Sequence, residues 1–97
     1  MALLNEETVQ HKLQSIPDWN LEQHEIVRTF SFPDFITALQ FVNRVGENAE
    51  ALGHHPDIDI RYNKVRLALT SHDAGGLTEM DFSLAASCDS TSEAIHK

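Results

Sequence analysis

Ninety-seven residues and 10.9 kDa suffice for one domain with a single core, and a chain this small buries only about 60–65% of its unfolded surface, so oligomerisation is a natural supplement. Seven Lys+Arg against 15 Asp+Glu leave a net charge of −8, which argues against nucleic-acid backbone binding, and one cysteine excludes an intramolecular disulfide or a Cys-pair zinc site. No apolar run approaches the roughly 18–20 residues of a membrane span, and the opening Met-Ala-Leu-Leu-Asn-Glu-Glu lacks the basic and apolar regions of a secretory leader, so a soluble cytoplasmic domain is expected.

The chain shows no internal repeat and no linker. A first helix is predicted over Glu6–Gln14, with Asn5 as N-cap, Glu6 and Glu7 at the positive end of the dipole, and Val9, Leu13 and Ile16 on one face. Pro17-Asp18 ends it. Trp19–Glu22 and Glu25–Phe32 read as strands joined by a turn at Gln23-His24, with Ile26, Phe30 and Phe32 at period two and Arg28 interrupting them. In the second helix Pro33 suits the first turn, and Phe35, Leu39, Val42, Val45, Ala49 and Leu52 recur every three to four residues. Gly53 supplies a stop, and Pro56 forbids continuation.

An alternating hairpin follows. Ile58, Ile60 and Tyr62 point one way and Asp57, Asp59 and Arg61 the other, with Asn63-Lys64 as the turn and Val65, Leu67 and Leu69 resuming the apolar face. This sets Tyr62 against Val65, Ile60 against Leu67 and Ile58 against Leu69. A third helix starts near Thr78, with Thr78 as N-cap, Asp81 in the reciprocal capping-box position and Leu77 stapled to Phe82. The tail Ser87–Lys97 is small and polar, as a fraying terminus is. The expected fold class is α+β in the order α-β-β-α-β-β-α, as one domain over residues 1–97, with helices packed on one face of a four-stranded antiparallel sheet.

Six histidines are the compositional oddity. Continued past the strands, the hairpin register sets His72 across from His55, with His54 beside it and Glu50 in the last turn of the second helix. Imidazoles titrate near neutral pH, so a cluster at a loop edge suits general acid–base work. A metal site is the rival reading, since three His and a carboxylate can bind zinc or iron. Adjacent residues of an extended segment point to opposite faces, which makes chelation of one ion by His54 and His55 awkward. His11, His24 and His96 read as surface or hydrogen-bonded residues. Glu50 could be merely solvated, Asp81 merely a cap, and Tyr62 part of the core. Gly75-Gly76 is too short for a phosphate loop.

The spaced set Glu50-x3-His54-His55-Pro56-x5-Tyr62-x9-His72-x8-Asp81, with the segments GHHPDIDIRYNKVRLALTSHD and GGLTEMDFSLA, resembles the pterin-4a-carbinolamine dehydratases along the whole chain. Ile58 departs from the pattern, since many members carry an aromatic there. The resemblance implies dehydration of a 4a-hydroxytetrahydropterin to the quinonoid dihydropterin and water. That reaction recycles the tetrahydrobiopterin-type cofactor of an aromatic amino acid hydroxylase, and the family uses no metal and no redox cofactor. It implies His54 and His72 as the acid–base pair and His55 as a group that holds or polarises substrate. Glu50 and Asp81 would orient imidazoles, while Pro56, Tyr62, Thr70, Ser71 and Asp73 would bind or orient the pterin. Family members form homodimers or homotetramers. Relatives also serve as non-catalytic binding or assembly factors, but a scaffold alone has no need for the complete set of site residues.

Overall fold

The caps and turns read from the sequence divide the chain much as expected. The computed structural model describes residues 2–96 as α1 (Glu6–Leu13), β1 (Asn20–Glu22), β2 (Glu25–Ser31), α2 (Phe35–Leu52), β3 (Asp57–Arg61), β4 (Lys64–Leu69) and α3 (Glu79–His96), with a 3₁₀ turn at His72–Ala74. The sheet is antiparallel with strand order β1-β2-β4-β3. Among the described residues no helix is long and apolar enough to cross a membrane.

Each helix starts on a side-chain cap. The Asn5 carboxamide accepts from the Thr8 amide at 2.8 Å, and the Asp34 carboxylate accepts from that of Thr37 at 2.8 Å. Asp34, rather than Pro33, therefore opens α2, and Pro33 precedes the cap. Its hydrogen bonds to Thr37 hold the Asp34 carboxyl below the usual aspartate range. The cap is thus in place above that range and is lost as pH falls through the lowered value. At the other end of α2, Gly53 adopts φ +66°; its amide donates to the Glu50 carbonyl and the His54 amide to that of Ala49. This is a Schellman close, and it fixes the backbone of His54 to the end of α2.

The hairpin turn falls at Tyr62-Asn63, one residue earlier than expected. Asn63 is held by the end of β2: its side chain donates to the Phe32 carbonyl at 2.7 Å and its carbonyl accepts from the Phe32 amide at 3.0 Å. Lys64 is thereby drawn into β4, opposite Ser31 and Arg61. The register becomes Ile60 against Val65 and Ile58 against Leu67. Apolar still meets apolar, because the partner shifts by two residues and the pleat repeats every two. Tyr62 pays for the early turn with φ +54° and stands 68% exposed, so it is not a core residue. Ile58 and Ile60, on the edge strand, remain 39% and 36% exposed.

The core lies between one sheet face and the helices. Ile26, Phe30, Val65, Leu67 and Leu69 meet Phe41, Val45 and Ala49 of α2 and Leu84, Ala85 and Cys88 of α3. Phe41 packs at centroid distances of 4.7 Å from Phe30 and 4.9 Å from Phe32. Burial pushes the Cys88 thiol up to about 12. Arg28 breaks the apolar alternation of β2 because it has an acidic partner on α3: Asp89 Oδ1 accepts from it at 2.6 Å and from Trp19 Nε1 at 2.9 Å.

The tail from Ser87 does not fray. It continues α3 to His96, burying Cys88 and Ser92, while Asn48 of α2 donates to Ser87 and Thr91. His96 stacks on Phe32 at 5.0 Å and bonds the Ser31 carbonyl at 3.0 Å. The small polar residues seat one helix against another; Lys97 lies outside the described residues.

Candidate active site

The end of α2, the start of β3, the turn after β4 and the start of α3 meet at one end of the sheet around an open cavity of about 470 Å³. His54, His55 and His72 all line it. The one-residue change of register leaves them at the same end of the hairpin, because the backbone bends at Gly53 on one side and at Ser71 on the other.

The three imidazoles are held differently. His54 Nε2 lies 2.6 Å from Asp81 Oδ1, and Asp81 is fully buried. The other oxygen of Asp81 accepts from Ser71 Oγ at 2.8 Å and from the Thr78 amide at 2.9 Å. Thr78 Oγ1 in turn accepts from the Met80 amide at 3.3 Å and pairs with Ser71 Oγ at 2.9 Å. This is the expected capping box with one addition: the capping carboxylate is also the support of His54. An ionised Asp81 can only accept, so Nε2 of His54 donates to it and Nδ1 is the acceptor nitrogen of the neutral ring. Among the described residues no buried side-chain polar atom lacks a partner, which is what lets a buried carboxylate persist here.

His55 turns the other way. Its Nε2 lies 2.8 Å from Glu50 Oε2 with both side chains largely exposed, so the pair orients the ring but contributes little stability. His72 opens a short loop closed by the Ser71–Gly76 bridge and by Gly75 at φ +80°; its ring has no hydrogen-bond partner among the described residues. Two imidazole–carboxylate pairs thus diverge from one another, and among the described residues no three metal-ligating side chains converge.

The remaining sequence candidates divide. Asp73 and Thr70 line the cavity, although the Thr70 hydroxyl is spent on the His24 carbonyl at 2.7 Å. Ser71 lines it too, but its hydroxyl faces Asp81 and Thr78, so it supports the site rather than presenting itself to a ligand. Pro56 carries the chain from His55 into β3 and does not line the cavity. Tyr62 sits beyond the opposite end of β3, outside this cavity. Met80 lines it unannounced, since a methionine in a helical first turn carries no signal of its own.

The family model described as Pterin 4 alpha carbinolamine dehydratase matches residues 2–91. A relative from Acidobacterium capsulatum, provisionally named a pterin-4-alpha-carbinolamine dehydratase, is 58% identical over 89 residues, covering 92% of this chain and 97% of its own. One from Chloroflexus aurantiacus with the same provisional name is 61% identical over 89 residues, covering 92% and 96%. Among solved structures, a transcriptional coactivator/pterin dehydratase from Brucella melitensis superposes with a TM-score of 0.89 at 32% identity, covering 92% of this chain and 97% of that one. A pterin dehydratase-like protein described as a RuBisCO assembly factor in the alpha-carboxysome superposes at 0.63 with 20% identity, covering 76% and 86%, a likeness of fold alone.

Proposed function

The chain belongs to the pterin 4 alpha carbinolamine dehydratase family, and on that premise we propose that it dehydrates a 4a-hydroxytetrahydropterin to the quinonoid dihydropterin and water. The C4a–O bond and the N5–H bond break, the electron pair left at N5 closes the C4a=N5 double bond, and the hydroxyl leaves with an added proton as water. The reaction needs one group to take the N5 proton and another to give a proton to the hydroxyl. The observation that carries the reading is a cavity edged by three imidazoles, one of them fixed on a buried carboxylate. His54 and His72 are the acid–base pair of this proposal, and His55 holds the substrate. Its place is the recycling of a pterin oxidised by an aromatic amino acid hydroxylase. The pairing of His54 with buried Asp81 supports the catalytic reading over a purely scaffolding one.

Stopped-flow dehydration of a 4a-carbinolamine by purified protein tests this reading. Acceleration over the spontaneous rate is expected, and it should persist after exhaustive EDTA dialysis, because the proton transfers are assigned to imidazoles alone. A rate indistinguishable from that without protein sinks it; loss on dialysis restored by zinc or iron favours the metal reading instead.

We also propose that the chain is a homodimer or homotetramer. The edge strand β3 leaves Ile58 and Ile60 partly exposed, apolar side chains on an unpaired strand edge. Sedimentation equilibrium at tens of micromolar should give a multiple of 10.9 kDa; a monomer mass refutes it.

A further inference from the structure

The loop that carries His72 hangs on Ser71. The Ser71 carbonyl accepts from the amides of Ala74 at 3.1 Å, Gly75 at 3.0 Å and Gly76 at 3.3 Å, and the Ser71 amide donates to the Gly76 carbonyl at 2.9 Å. The Gly75 amide also reaches the His72 carbonyl at 3.1 Å, a bond internal to the loop. No side chain of residues 72–76 has a hydrogen-bond partner among the described residues. The hydrogen-bonded route from His72 to the rest of the fold therefore runs through Ser71.

The Ser71 hydroxyl completes that route. It donates to Asp81 Oδ2 at 2.8 Å and lies 2.9 Å from Thr78 Oγ1. An ionised Asp81 only accepts, so the Ser71 proton goes to it and the Thr78 hydroxyl donates to Ser71. Ser71 is 9% exposed, and its one proton is committed, which leaves it nothing to donate to a ligand. Asp81 Oδ1 meanwhile faces His54 Nε2 at 2.6 Å. The two oxygens of one buried carboxylate thus hold His54 on one side and, through Ser71, the root of the His72 loop on the other. His54 follows α2 and His72 follows β4; this carboxylate is their common anchor.

We propose that Ser71 is a positioning residue that fixes His72 relative to His54, its hydroxyl acting on the reaction through the two imidazoles rather than by touching the pterin. This rests on the dehydratase reading of the cavity and adds to it the residue that sets the spacing of acid and base. Two proton transfers at one rigid ring need both imidazoles within reach together, and a misplacement of about 1 Å costs on the order of 100-fold.

Ser71→Ala removes the tie but keeps the Thr78 amide on Asp81 Oδ2, so the cap of α3 stays and the fold with it. Ser71→Thr restores the hydroxyl on a backbone of φ −107° and ψ 94°, which suits a β-branched residue. In stopped-flow dehydration Ser71→Ala should lower kcat by roughly 10–100-fold and change KM by less than about 3-fold, and Ser71→Thr should recover most of the loss. Thr91→Ala removes another half-buried hydroxyl, one that donates to the Ser87 carbonyl at 2.9 Å within α3. It controls for lost stability alone and should keep wild-type kcat. NMR locates the effect. In Ser71→Ala the amides of Ala74, Gly75 and Gly76 should exchange faster and the ring ¹⁵N signals of His54 should shift, while Thr91→Ala should leave both unchanged. Wild-type kcat in Ser71→Ala overturns the proposal. So does a lowered kcat with both NMR readouts unchanged, or a Ser71→Thr protein no faster than Ser71→Ala. Failure of wild type to accelerate a carbinolamine refutes the dehydratase reading instead, while the NMR readouts still decide whether Ser71 ties the His72 loop to His54.

Discussion

Replacing His54 or His72 by alanine should each lower dehydration turnover by roughly 10–10⁴-fold, the range expected for loss of one acid–base group. The two variants should differ in stability. The ring of His72 is exposed and without a hydrogen-bond partner among the described residues, so its removal leaves the melting temperature near that of wild type. Removal of the His54 ring strips Asp81 Oδ1 of its donor inside the fold, and an under-satisfied buried carboxylate costs about 1–3 kcal/mol or more. For a domain of this size the whole stability is only about 5–15 kcal/mol, so that loss is visible in a denaturant titration. The double variant should be less impaired than the product of the single losses if the two imidazoles act as one unit. His11→Ala, on the exposed face of α1, is the control and should match wild type. Wild-type turnover in either His54→Ala or His72→Ala removes that residue from the mechanism.

Much of this site was legible in the sequence because a hairpin turns sequence separation into proximity. Once Ile58–Ile60 and Val65–Leu69 are read as alternating strands, His54, His55 and His72 must share one end, and the early turn at Tyr62 does not alter that. The error at Tyr62 came from a contact that local pattern cannot show, the grip of Phe32 on Asn63 across 31 residues. The tail differs from its local pattern for a related reason. Ser87, Thr91 and Ser92 look like a fraying end until Asn48 and the underside of α2 are placed against them. Asp81 was readable as a cap because a capping box is local. Its hold on His54 depends on the start of α3 docking beneath the Schellman close of α2.

Asp81→Asn separates the support of His54 from the cap of α3. The new side chain keeps the shape of the old one but has one acceptor and one donor end. The Thr78 amide is a fixed donor at 2.9 Å from Asp81 Oδ2, so the carboxamide oxygen must face Thr78 and Ser71, and its NH₂ must face His54. Nε2 of His54 then has to accept, which moves the ring proton to Nδ1, the nitrogen that Asp81 leaves free as an acceptor. The helix cap survives, and the loss of charge-assisted hydrogen bonds should cost roughly 1.5–3 kcal/mol of stability. Turnover should fall by about 10²–10⁴-fold, as when an acid–base group is present in the wrong protonation pattern. Asp81→Leu, by contrast, leaves the Ser71 hydroxyl, the Thr78 amide and the His54 ring without their common partner. It should destabilise by about 3–5 kcal/mol and so say little about catalysis. The ¹⁵N shifts of the His54 ring give a readout that mere loosening of the fold does not produce: protonation at Nε2 in wild type, and at Nδ1 in Asp81→Asn. Full turnover in a folded Asp81→Asn protein with its tautomer inverted would show that Nδ1 of His54 takes no part in the proton transfers.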